Sequence, residues 1–297
     1  MARRIDPYSI RLFVAAAQAG SIARAAEREH IAASALCRRI TDLEHAFGTA
    51  LLVRSPRGIA LTDAGRLVLT RGIKIDEDLE ALAREVQSEG GELRGTVRLY
   101  ANMSAVVGFL PERLRRFMQA HPQARVALHE QDTRDVLRAC LDDLADVGVG
   151  VEQAVPAGLE AWHFAHDPLQ VVVPAGHALA ALDSVSFAAV LREPLIGVHQ
   201  GGALDRSLHE RAEAGGGRFS PTVSVSSFDA VCRMVEGGLG VALIPDRAFE
   251  VVAAGMDLVA VPLTDDWAFR ALKIVVRDPR GLSPATRLLV EHLTGGA

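Results

Sequence analysis

The sequence predicts two unlike parts: a small N-terminal winged helix-turn-helix continued by one long helix, and a larger C-terminal α/β body. Three observations carry this. Apolar residues in the first fifty positions recur at three-and-four spacing, in segments punctuated by Gly20 and Gly48. A stripe with 4-3-4-3-4 spacing then runs from Val68 to Val86. From Gly95 onward, short β-branched or leucine-rich runs alternate with helical patterns.

At 297 residues, 49% hydrophobic and 23% charged, the chain has the composition of a globular protein with room for two or three domains. Its net charge of −5 hides a split. Residues 1–66 carry ten arginines against six acids, net +4, whereas residues 67–297 carry 22 Lys+Arg against 31 Asp+Glu, net −9. A basic module on an acidic body points to a polyanion partner. Asp6, Pro7 and Arg11 interrupt any secretory h-region. The longest uncharged run, PLQVVVPAGHALAAL, is broken by prolines and is too short for a spanning helix. A cytoplasmic protein with no membrane partner is expected. Cys37, Cys140 and Cys232 match no metal-ligand spacing, so no metal and no cofactor is expected.

The first helix is expected from about Pro7 to a break at Gly20, and the second from Ser21, whose hydroxyl suits an N-cap. Ile22, Ala25 and Ala26 face inward, and their small size allows a third helix to lie close after a turn near His30–Ala32. Two short helices so joined form a helix-turn-helix. On the third, Leu36, Ile40, Leu43 and Phe47 fall within about 40° of one another, while Ser34, Arg38, Thr41 and His45 lie about 140–200° away. The outer face is thus small, polar and cationic, which suits a major groove. Arg38 can pair with guanine or hold a phosphate. Read alone, it fits a plain solvated face slightly better, since most charged helix faces are solvated.

After Gly48, two short apolar runs flank SPRG, predicting a hairpin with Arg54 and Arg57 at its tip, placed to reach DNA backbone or minor groove as a wing.

The segments GSIARAA, ALCRRITDLEHAFGTALLVRSPRGIALTDAG and SFDAVCRMVEGGLGVALIP resemble, in order and spacing, those of LysR-type transcriptional regulators. The resemblance covers the whole chain and is most specific over its first 66 residues. It implies base contacts from the start of the third helix, on Ala33, Ser34, Cys37 and Arg38, with Arg54 and Arg57 on the DNA backbone. Ala33 stands where the family often has glutamine and Cys37 where it often has serine, so the operator is not predicted. The resemblance further implies a homodimer or homotetramer on an inverted-repeat operator, contact with RNA polymerase, and a body of two Rossmann-like subdomains, as in periplasmic binding proteins. The expected domains are 1–66 for DNA binding, 67–90 for the linker and dimerisation helix, and 91–297 for effector binding. Within the last, subdomain I takes 95–165 and 268–297, and subdomain II takes 166–267.

From Thr62, which can cap, the long helix carries Val68, Gly72, Ile75, Leu79, Leu82 and Val86 as a heptad seam of almost three repeats. Such a narrow stripe either packs on its own domain or meets a copy of itself; in the family it pairs two subunits. SEGGELRG, at 88–95, closes the helix as a linker.

In the body, mainly parallel sheets are expected, with ligand sites beyond the carboxyl ends of strands. Polar residues there are the effector-binding candidates: Asn102 and Ser104 after the first strand, Gln131 and Asp132 after the second, His199 and Gln200 after another, and Ser226 and Ser227 at a helix start. Helix N-termini with amide and hydroxyl side chains suit a small polar or anionic effector.

Two other function classes fit the sequence less well. A transport receptor fits the body but not the basic N-terminal module. An enzyme lacks support, since the chain has no GxSxG, GxxxxGK[ST] or HExxH motif and EGGLG is not a full dinucleotide fingerprint. A thiol switch at Cys37 has no resolving cysteine nearby in sequence.

Overall fold

Helix α1 (Pro7–Ala19) starts where Asp6 accepts hydrogen bonds from the Tyr8 backbone N–H (3.2 Å) and the Ser9 hydroxyl (3.0 Å). It stops at Gly20, whose left-handed φ of 63° ends the helix. This structure, a computed structural model, describes residues 5–55, 58–87, 95–151 and 155–295. Helix α2 (Ile22–Arg28) is capped by the Ser21 hydroxyl, and α3 (Ala33–Phe47) follows after the turn. Leu36, Ile40 and Leu43 of α3 join Phe13, Ala25 and Ala26 in one core. Phe47 departs from the expected inward stripe: it is 39% exposed, in the last turn before left-handed Gly48, where the helical core has run out.

Strands β1 (Leu52–Ser55) and β2 (Gly58–Leu61) form an antiparallel hairpin with Leu52 opposite Leu61 and Ser55 opposite Gly58. Arg57 lies outside the described residues, as does the side chain of Arg54. Helix α4 (Asp63–Gln87) begins at Thr62, whose hydroxyl accepts from the Gly65 N–H (2.9 Å) and donates to the Ala50 carbonyl (2.8 Å).

The seam along α4 is not uniform. Gly72 is buried, and a Cβ there would stand 2.7 Å from Ile10 Cγ2 and 2.9 Å from Val14 Cγ2, so glycine is what lets α4 lie against α1. Val68 is half-buried on the same core. Ile75, Leu79 and Leu82 are instead exposed, and the side chain of Val86 lies outside the described residues. One stripe therefore serves two surfaces, the first part closing its own domain and the second left facing outward. The expected linker, 88–95, falls outside the described residues except for Gly95.

The chain divides into two compact units, Met1–Glu92 and Leu93–Ala297. The second opens with β3 (Gly95–Ala101), α5 (Met103–Gly108), α6 (Leu110–Ala120), β4 (Ala124–Glu130), α7 (Thr133–Leu141), β5 (Val147–Val151) and β6 (Glu160–His166). It continues with β7 (Leu169–Pro174), α8 (Phe187–Val190), β8 (Leu195–Val198), α9 (Ala203–Ala214), β9 (Val223–Val225) and α10 (Phe228–Glu236). It closes with β10 (Val241–Pro245), α11 (Asp246–Val252), β11 (Leu258–Pro262), β12 (Ala271–Val276) and α12 (Pro284–Thr294).

These strands build two five-stranded sheets, β4-β3-β5-β12-β6 and β11-β7-β10-β8-β9. The chain passes from the first to the second between β6 and β7, and returns between β11 and β12. Apolar clusters lie on both faces of each sheet, which explains the near-continuous apolar strands.

The expectation of mainly parallel sheets is corrected, because both sheets are mixed. β3 pairs in parallel with β4 and β5, and β8 with β9 and β10, but β12 runs antiparallel to β5 and β6, and β7 antiparallel to β10 and β11. The antiparallel pairings involve the strands flanking the two crossings, where the chain re-enters a sheet without a helical crossover. Strand β6, EAWHFAH, carries no apolar run to announce it and sits at a sheet edge.

Candidate DNA-reading face and effector cleft

In the N-terminal unit, α3 turns Leu36, Ile40 and Leu43 into the core and leaves Ala33, Ser34 and Arg38 exposed. Cys37 and Thr41 are half-buried, and the Thr41 hydroxyl donates to the Cys37 carbonyl at 3.0 Å, so its methyl faces away from that bond. The two adjacent arginines have different surroundings. Arg39 Nη1 lies 2.9 Å from Asp6 Oδ2, with its guanidinium over the Tyr8 ring at 5.5 Å. Arg38 has no hydrogen-bond or ion-pair partner among the described residues. One arginine ties α3 to α1; the other is left projecting.

In the body, the two subdomains enclose a cleft of about 440 Å³. Asn102, Ser104, Gln131, Asp132 and His199 all line it. Sequence reasoning missed Arg206, Trp267 and Arg270, which line it as well. Apolar side chains, among them Phe228, Val198 and Leu169, make up much of the remaining wall.

Three of the candidates, Gln200, Ser226 and Ser227, do not line this cleft. Gln200 borders a second, polar depression of about 540 Å³ with Asp205, His209 and Arg218. The chain turns at His199, which holds a left-handed φ of 51°, and this carries the next residue to the opposite side of the loop. Ser227 caps α10 by accepting from the Ala230 N–H at 3.3 Å, and Ser226 is exposed just after β9. Since β9 is the outer strand of its sheet, α10 reaches the cleft only with Phe228.

The lining groups are already engaged with one another. Asn102 caps α5 through its side-chain oxygen, which accepts from the Ala105 N–H at 3.1 Å. The Ser104 hydroxyl donates to the fully buried Asp167 carboxylate, 2.7 Å from both oxygens. Arg270 Nη2 stands 2.6 Å from Asp167 Oδ2, and its Nε donates to the Asp167 carbonyl at 2.9 Å. Asp167 lies on the first crossing between sheets and Arg270 on the second, so this network ties the two crossings together at the cleft floor. Burial pushes the Asp246 carboxyl above its ordinary range, and the nearby charge of Asp167 adds to the effect.

At the other end, Asp132 caps α7, Oδ1 accepting from the Thr133 N–H at 3.0 Å. The same oxygen accepts from the Ala203 N–H of α9 at 2.9 Å, and Oδ2 lies 2.6 Å from Arg206 Nη2. Gly202 N–H donates to the His199 carbonyl at 2.7 Å in the turn that leads into α9, and a Cβ on Gly202 would come within 2.8 Å of that oxygen. Neither α9 nor its partner from the other subdomain was read from the sequence.

Among the described residues no group of histidine, cysteine or acidic side chains is arranged to hold a metal, and no helix is long and apolar enough to cross a membrane.

Comparison with known proteins places these two units. Residues 8–66 match the bacterial regulatory helix-turn-helix protein, lysR family, and residues 90–297 match the LysR substrate binding domain. The chain is 28% identical over 298 residues to the uncharacterized HTH-type transcriptional regulator YnfL of Escherichia coli (strain K12), covering 97% of this chain and 98% of that one. It is 28% identical over 292 residues to the RuBisCO operon transcriptional regulator of Allochromatium vinosum, covering 97% and 95%. Among solved structures, full-length CbnR complexed with its target DNA shares the fold with a TM-score of 0.77 at 22% identity, over 99% of this chain and 100% of that one. These relatives are transcriptional regulators. With one family model covering most of the chain and a second from the same family covering its helix-turn-helix, the chain belongs to the LysR family of transcriptional regulators.

Proposed function

We propose that this regulator reads an inverted-repeat operator as a homodimer or homotetramer, and that a small polar or anionic effector in the cleft controls it. The observation that carries the DNA-reading assignment is Arg38, exposed and unpartnered among the described residues, on a face whose neighbours Ala33 and Ser34 are small enough for close approach to a major groove. Cys37 and Thr41 complete that face, and Arg54 and Arg57 of the wing hold the DNA backbone. The exposed Ile75, Leu79 and Leu82 stripe supports pairing of α4 with a second copy. Asn102, Ser104, Gln131, Asp132 and His199 surround the effector, with Arg206, Trp267 and Arg270 added. Its apolar part rests on Phe228 and Trp267. Effector binding shifts the two subdomains, and the shift alters how two recognition helices meet their half-sites. RNA polymerase is the further partner, and the cytoplasm the compartment.

The test is retention of sheared genomic DNA by the purified protein and by Arg38→Ala in parallel, with sequencing of what each retains at moderate salt. Discrete sites containing an inverted repeat, lost in the variant, are expected. Retention without sequence preference would refute specific recognition.

A further inference from the structure

The carboxylate of Asp132 stands where the first turns of two helices from opposite subdomains meet. It accepts from Thr133 N–H at the start of α7 in the first subdomain and from Ala203 N–H at the start of α9 in the second. Each helix end presents partial positive charge, and Arg206 adds a full one 2.6 Å from Oδ2. Arg206 is itself steadied by the Gly201 carbonyl, which accepts from its other terminal nitrogen. Asp205, the acid in α9's own first turn, is turned away, its Oδ2 accepting from the Gly201 N–H at 2.9 Å. Glu130, Asp135 and Glu210 also line the cleft, as do Arg134 and Arg211, all exposed and none in contact with the Asp132 carboxylate. One carboxylate therefore neutralises three cationic features across the cleft mouth. Without it, two helix N-termini and a guanidinium would face one another with like charge.

We propose that Asp132 is a latch: its carboxylate holds the two subdomains together across the cleft mouth, opposite the Ser104–Asp167–Arg270 network at the floor. The cleft is thus tied at both ends, but the two ties differ. The floor network is buried and includes the chain crossings. The latch is partly exposed, with side-chain exposures of 29% for Arg206 and 20% for Asp132, and joins segments far apart in sequence. Opening therefore proceeds by releasing Asp132 and turning about the floor. This assignment rests on the contacts of Asp132 alone and needs no effector.

The experiment measures the distance between spin labels on the full-length chain, at Arg138→Cys on α7 and Glu213→Cys on α9, both exposed positions. Cys37→Ser removes the half-buried thiol; Cys140 and Cys232 are buried. Excess unlabelled protein isolates distances within one chain. Asp132→Ser keeps a hydroxyl to cap α7 while removing the charge. Arg206→Gln removes the other partner without touching that cap. Both are expected to lengthen and broaden the distance distribution, and the double variant to lengthen it no further than the larger single effect. Lengthening in Asp132→Ser alone would still support the latch, with the helix ends as its main partners. An unchanged distribution in Asp132→Ser overturns it, whatever Arg206→Gln does.

Discussion

Arg270 Nη2 lies 2.6 Å from the carboxylate of Asp167, and these two residues stand on the two separate crossings that connect the subdomains. Asp167 is fully buried, and the Arg270 side chain is 13% exposed. Removing one partner leaves the other charge uncompensated, so Arg270→Met is expected to destabilise the body by roughly 3–5 kcal/mol. The double variant with Asp167→Asn should recover part of that loss. Denaturant unfolding of both single variants, Arg270→Met and Asp167→Asn, and of the double variant checks this, and a double variant no more stable than Arg270→Met would argue against coupling between the pair.

The adjacent arginines of α3 should separate function from stability. Arg38→Ala is expected to weaken operator binding at least several-fold with the melting temperature unchanged. Arg39→Ala loses the Asp6 pair and the Tyr8 contact, both largely exposed, and should lower stability by about 0.5–1 kcal/mol. DNA titration and thermal melting on both proteins distinguish the roles; equal effects in both would contradict them.

The split seam of α4 makes two opposite predictions. Gly72→Ala forces a methyl against Ile10 and Val14 and should destabilise the N-terminal unit by about 1–3 kcal/mol. Leu79→Ala and Leu82→Ala change exposed side chains and should leave that unit stable while lowering the oligomer's affinity for itself. Sedimentation as a function of concentration, alongside melting, reads both.

The body's thiols should be inert. Burial pushes Cys140 up to about 12 and Cys232 up to about 11, so neither is a thiolate near neutral pH. Under native conditions a thiol reagent should modify Cys37 alone, and after unfolding all three. Native labelling of Cys140 or Cys232 would show that the body opens more than this packing allows.

Asp246 gives a pH-dependent test. Its folded value is raised, so above that value the ionised carboxylate opposes folding, and the penalty is relieved as pH falls through it. Asp246→Asn should therefore raise the melting temperature near pH 7, an advantage that shrinks towards acid and disappears below the ordinary carboxyl range. A gain independent of pH would point to a cause other than charge.

Much of this architecture could be read along the chain, because the relevant forces are local or periodic. The caps at Ser21 and Thr62, the stop at Gly20 and the inward stripe of α3 follow from hydrogen bonding and spacing within a few residues. Strand ends marked Asn102, Ser104, Gln131, Asp132 and His199, which line the cleft, and equally Gln200, Ser226 and Ser227, which do not. Other features depended on neighbours distant in sequence. Asp167 and Arg270 are 103 positions apart, and nothing beside either one announces the other. Strand β6 is held by pairing with β12 and not by an apolar run. The heptad spacing of α4 could not show where contact with α1 ends, and Asp132 reads as a polar group at a strand end, with nothing to announce that α9 arrives from the other subdomain with Ala203 and Arg206. Periodicity dictates which face of an element is apolar; only packing assigns the partner that covers it or the carboxylate that two helices share.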